Sequence, residues 1–131
     1  VGPNGPRLGN FSLFARLMED PRYARLLHGD ISGLVQRDRA AVALAALLTR
    51  ADWHGRLLWG SDYPLPGVMP LINVHAIAGL GLLDPREVPV IVEIRRHNPI
   101  LFDFVLKRRL AADGRRFAPG VFETREYFVA A

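Results

Sequence analysis

Apolar and polar positions fall into blocks along this chain, and each block carries a recognisable period. Val1 to Asn10 holds three Gly and two Pro and reads as a loop. Phe11, Phe14, Leu17 and Met18 then recur at helical spacing, with Asn10 or Ser12 as a cap and Pro21 as the stop. Leu26 to Ser32 is a short apolar run with a polar carboxyl end, the pattern of a strand. Next, Asp38 is placed to cap a helix from about Arg39 to Thr49, whose Val42, Ala45 and Leu48 belong to an apolar stripe wide enough to lie on a sheet. His54-Gly55 turns the chain into Arg56 to Gly60, an apolar stretch opened by a charge, as expected of a strand buried on both faces. About 20 residues, including a helix, connect the two strand segments, so they are expected to be parallel neighbours.

The second half reads as helical. Pro64, Pro66, Gly67 and Pro70 mark a loop, followed by an apolar helix near Leu71 to Ala78 that Gly79 and Gly81 end. Asp84-Pro85-Arg86-Glu87 has the cap, first-turn proline and third-position acid of a helix start. That helix runs to about His97, although Pro89 in its early part costs a hydrogen bond unless the start lies later. Asn98-Pro99 breaks the chain, and Ile100 to Ala111 gives another helix with Leu101, Phe104, Val105 and Leu106 on its buried side. Beyond Gly114 the tail, 114–131, reads as irregular, with Phe117, Val121 and Phe122 packing back on the body. The whole chain, 1–131, is expected to be a single unit without repeats.

Composition narrows the chemistry. There is no cysteine, which excludes disulfides and thiolate-held metals and leaves His and carboxylates as the strong metal ligands. Every basic residue except Lys107 is Arg. The longest small-apolar run, Ala40 to Leu48, is far short of the roughly 20 residues needed to span a bilayer, so no membrane partner is expected and cytoplasm is the default compartment. The opening Val1-Gly2-Pro3-Asn4-Gly5 has no Met, no basic stretch and no apolar leader, and reads as the middle of something longer.

The segment Arg56-Leu57-Leu58-Trp59-Gly60-Ser61-Asp62-Tyr63-Pro64 delivers one carboxylate at the end of an apolar run, where parallel α/β enzymes do their chemistry. It resembles the last-strand motif of the amidohydrolase-related family of metal-dependent hydrolases and decarboxylases. His28-Gly29-Asp30-Ile31-Ser32 resembles that family's penultimate strand, and Asn98-Pro99-Ile100-Leu101-Phe102 its terminal helix. The resemblance, from about Phe11 to Phe122, implies an α/β fold. The chain would be the C-terminal part of a (β/α)8 TIM barrel, its last two parallel strands plus the following helices. A whole barrel takes about 250 residues, so half is the most this chain supplies.

By the same resemblance, Asp62 is the catalytic residue and a ligand of a divalent metal, zinc, taking a proton from metal-bound water; a cation makes that water acidic enough for a carboxylate base. Asp30 is expected to face the same pocket, and to orient a ligand or the substrate. His28, two residues before it, shares its face in an extended strand. His75 lies just beyond the motif loop, within reach of a small-molecule substrate. Set against these roles, Asp62 and Asp30 also suit the turn and cap positions that Asp often fills, and a lone strand histidine is commonly structural. The histidines form no His-x-His pair, so the chain alone is expected not to bind zinc tightly and to be inactive without the amino-terminal part of the barrel. Two strands with open edges also favour association, including with a second copy. Other classes compete: a non-catalytic interaction domain, or a nucleic-acid or phosphate-binding module built on Arg95, Arg96, Lys107, Arg108, Arg109, Arg115 and Arg116. Nucleic acid is the weaker of these, because no aromatic stacking array or helix-turn-helix accompanies the charges.

Overall fold

A computed structural model describes residues 9–37 and 40–129. Helix α1 (Asn10–Glu19) buries Met18 and lays Phe11 and Phe14 against the core. Its cap position is Gly9, in extended conformation, and no side chain caps it. Asn10 is already helical, which corrects the expected cap. Strand β1 (Gly29–Asp30) follows after a turn. The expected cap Asp38 lies outside the described residues. A wide π-type turn, Ala40–Leu44, leads into helix α2 (Ala45–Thr49), and a 3-10 segment, Ala51–Arg56, then carries Trp53 and His54 into the core before strand β2 (Leu57–Leu58).

The two strands are parallel neighbours, with Gly29 opposite Leu57 and Asp30 opposite Leu58. The Ile31 amide extends the pairing by donating to the Leu58 carbonyl at 3.0 Å, and the Trp59 amide donates at 2.8 Å to the Val121 carbonyl of the tail. The expected fold class does not form, however. The described residues are 59% helical and their one sheet is two strands of two residues each; no part of a (β/α)8 barrel is present among them. The reason lies in what the apolar runs do. Leu26, expected in the first strand, sits in a turn with 77% of its surface exposed, and Arg56, expected to open the second, ends the 3-10 segment rather than extending. The remaining helices pack on one another more than on a sheet.

Helix α3 (Val74–Gly79) starts where Asn73 accepts from the Ala76 amide, and Gly81 follows its end at φ +77°, a conformation glycine adopts without strain. Asp84 caps the short turn Pro85–Glu87 by accepting from the Arg86 amide, and helix α4 (Val88–His97) begins only at Val88. Pro89 therefore falls in the first turn, where its missing donor costs nothing. Asn98 accepts from the Leu101 amide and caps helix α5 (Pro99–Arg109), which packs along α4. The buried side of α5 is Phe102, Asp103, Leu106 and Lys107. Leu101, expected inside, is exposed. Phe117 and Val121 of the tail are buried, and a last short helix, α6 (Arg125–Val129), follows. Among the described residues no helix is long and apolar enough to cross a membrane.

Gly29 sits where α1 crosses the strand pair. A methyl group there would come within 2.8 Å of Phe14 Cζ and 2.9 Å of Leu57 Cδ2. Gly29→Ala is expected to force both side chains aside and to cost about 1–3 kcal/mol. A urea midpoint equal to that of the parent would contradict this packing.

Candidate functional site

The parallel pairing brings two sequence-distant segments to one rim. At the end of β1, Asp30 accepts from the Ser32 amide at 2.8 Å, a turn bond that fixes its carboxylate. Beyond β2, Gly60 lies under that carboxylate: a methyl group on Gly60 would stand 3.3 Å from Asp30 Oδ1. Two residues on, Asp62 adopts φ +56°, in the left-handed region that Asp and Asn tolerate better than other side chains. Its carboxylate is exposed, and no donor among the described residues holds it. Leu65 donates from its amide to the Asp62 carbonyl at 3.0 Å, turning the chain into the proline-rich loop.

Under the rim lies a charge that the helical pattern conceals. Lys107, on α5, is completely buried and its Nζ donates to the Ser32 carbonyl at 2.7 Å, to the Gly60 carbonyl at 3.0 Å and to Asp103 Oδ2 at 2.7 Å. Three acceptors match the three protons of an ammonium. Asp103, one turn earlier and equally buried, also accepts from Trp59 Nε1 at 3.0 Å, while its Oδ1 has no hydrogen-bond partner among the described residues. Burial pushes the Asp103 carboxyl above its ordinary range, with Lys107 working against it. Burial likewise pulls the Lys107 ammonium down, opposed first by Asp103 and then by the fields of Asp30 and Asp62. Both rim carboxylates thus lie close enough to act on one buried cation.

The other sequence candidates go elsewhere. The His28 ring packs edge-on against Tyr127, centroids 5.0 Å apart. His75, exposed on α3, lines a separate cleft with Arg37 and Arg95. The residues at the rim do not by themselves fit a divalent metal: they offer two carboxylates above a buried ammonium, and no group of three or more His, Asp or Glu suited to a metal occurs among the described residues. His54, expected in a turn, is buried; Nε2 donates to the Leu47 carbonyl at 2.8 Å while Nδ1 accepts from the Ala118 amide at 3.1 Å, which ties α2 to the tail.

Most of the basic cluster is committed as well. Arg96 pairs with Glu93, Arg109 with Glu87, and Arg108 lies over the rings of Phe104 and Phe122. Arg95 donates to three backbone carbonyls. The sequence signal for the buried pair was an Asp and the lone Lys four apart within an apolar helix, a spacing that places both on one face.

Removing one member of the pair strands the other. Lys107→Met is expected to cost about 3–5 kcal/mol at neutral pH. In that variant the folded state holds the Asp103 proton where the unfolded chain releases it, so stability is lost as pH rises through the raised value; the urea midpoint should climb on going from pH 7 towards about pH 5. Asp103→Asn should show the opposite slope. There the unfolded chain holds the Lys107 proton more tightly, and stability rises with pH towards the ordinary lysine value. Slopes of the same sign in the two variants would contradict a paired ionic unit.

Compared with protein-family models, with curated proteins and with solved structures, the chain matches none of them.

Proposed function

We propose that the rim carrying Asp30 and Asp62 is the carboxylate part of a hydrolytic site of the amidohydrolase-related type, acting on a small molecule by C–N or C–O hydrolysis or by decarboxylation. The observation that carries the reading is the meeting of Gly29-Asp30-Ile31-Ser32 and Gly60-Ser61-Asp62-Tyr63-Pro64 at the same end of one parallel pair. The proposal concerns the chemistry of these two segments and requires no barrel. Asp62 is exposed, held by no donor among the described residues and set on a left-handed backbone, features that suit a base left free to meet substrate. Asp30, fixed by the Ser32 amide, suits a positioning role. A divalent metal, where this chemistry uses one, needs imidazole ligands beyond the residues gathered here.

A second reading, a non-catalytic interaction domain, is favoured by one specific observation: large apolar side chains including Leu26, Val42, Met69, Val90, Phe128 and Val129 are exposed.

In the active protein that contains this chain, Asp62→Asn is expected to abolish turnover and leave the fold intact, because asparagine accepts the left-handed backbone but not a proton. Asp30→Asn should lower activity or metal affinity by about 10–100-fold. Activated amides, lactones and aromatic carboxylic acids, assayed with zinc, give the measurement. Turnover of Asp62→Asn equal to the parent's would overturn the assignment and leave the interaction reading. Titrated with zinc alone, the chain should bind no better than isolated carboxylates do; a submicromolar site would show that its own residues complete a metal centre.

A further inference from the structure

A cleft of about 690 Å³ opens between the loop after Asp62, helix α3 and helix α4, and none of the rim residues lines it. Its volume lies in the range of small-molecule sites. Among the described residues four cationic or cationisable side chains reach it, Arg37, His75, Arg95 and Arg96, and no carboxylate does. Between them the wall is apolar, with Ile72 and Val92 among its residues.

Arg95 gives the cleft its fixed charge. Its Nε donates to the Pro66 carbonyl at 2.8 Å, Nη1 to the Ile72 carbonyl at 2.9 Å and Nη2 to the Val68 carbonyl at 3.1 Å, and the guanidinium stacks 4.9 Å above the Phe102 ring. A guanidinium has five N–H groups, so two are left over. Neutral carbonyls orient the cation without cancelling its charge, and no carboxylate among the described residues lies within ion-pair distance of it. Partial burial already disfavours that charge. Arg37, which also lines the cleft, is anchored by its own amide, which donates to the Leu71 carbonyl at 2.9 Å. Arg96 pairs at the surface with Glu93 through Nη1 and keeps its other amino group.

We infer that this cleft binds a small organic oxyanion, a carboxylate or phosphate monoester carrying an apolar group. The anion would meet the Arg37, Arg95 and Arg96 guanidiniums, and its apolar part would lie on Ile72 and Val92. Charge-assisted hydrogen bonds to a preset guanidinium are the strong ones, and the apolar wall distinguishes an organic anion from an inorganic one. The inference is independent of the hydrolytic reading, since no residue assigned to the rim takes part.

The test titrates the isotopically labelled full chain with benzoate, phenyl phosphate, inorganic phosphate and the neutral benzyl alcohol, following amide shifts by NMR at low salt. Saturable binding of benzoate or phenyl phosphate is expected, with shifts at residues 66–75 and 92–96. Inorganic phosphate should bind more weakly and benzyl alcohol not measurably. The stronger of the two organic anions identifies the head group. Arg37→Gln and Arg96→Gln, both surface changes that spare the Arg95 clamp, should each weaken binding about tenfold. Absence of saturation by either organic anion up to about 10 mM, or affinity unchanged in the doubly substituted chain, would overturn the inference. So would equal binding of benzyl alcohol.

Discussion

One ammonium group ties the carboxyl ends of both strands to the helix beneath them. Lys107 donates to the carbonyl oxygens of Ser32 and Gly60, which follow β1 and β2, and closes the third bond on Asp103. Two strands of two residues have too little ladder to fix their own ends, so the pairing depends on this tie and on the Trp59 and Ile31 amides. A charge without water is costly, and three acceptors at hydrogen-bond distance offset that cost only while all are kept. The neighbourhood is therefore sensitive to small changes. Asp103 is oriented in turn by the Trp59 indole, which itself belongs to the chain leaving β2, so strand, helix and rim form one closed circuit of hydrogen bonds.

Punctuation was the legible part of the sequence. Pro and Gly positions, Asp84 as a cap, the chain break at Asn98-Pro99 and the helical stretches on either side of it followed from backbone chemistry that holds whatever the tertiary setting. Extended structure was less legible. A short apolar run cannot by periodicity alone be distinguished from a turn or a helical segment, and Leu26 and Arg56 were read into strands for their neighbours' hydrophobicity while tertiary packing left them outside. The barrel expectation failed for the same reason at larger scale: two motifs imply two strands, but not the long ladders or the flanking helices that a barrel layer needs.

Hydrophobicity alone does not mark the buried face of α5. Asp103 and Lys107 are both on the inner face, and Leu101 is on the outer one. A pair of opposite charges one turn apart can replace an apolar pair inside when outside groups complete its hydrogen bonds, here the Ser32 and Gly60 carbonyls and the Trp59 indole, and the sequence marks it only as an isolated Asp and the single lysine. At the rim, Asp30 and Asp62 were identified from residues that the backbone does bring together. His28 and His75 were grouped with them by proximity in sequence, whereas the ring of Tyr127 and the α3–α4 cleft are what they meet. No local pattern announces a partner contributed by the far end of the chain.

Successive helices solve the same problem twice. Helix α5 sends Lys107 to carbonyls at the strand ends, and α4 sends Arg95 to carbonyls of the loop that starts at Asp62. Such carbonyls, at strand ends and in an irregular loop, need donors, and a long cationic side chain supplies several from one position. The two cations are set relative to each other by the Asn98 cap, which turns α4 into α5, and by the Arg95 guanidinium resting on Phe102 across the helix pair. Asp62 lies between these anchors, with Gly60 held by one and Pro66 by the other. Its left-handed backbone is thus maintained by both ends of the segment, and the α4–α5 hairpin acts as the frame on which rim and cleft are mounted together.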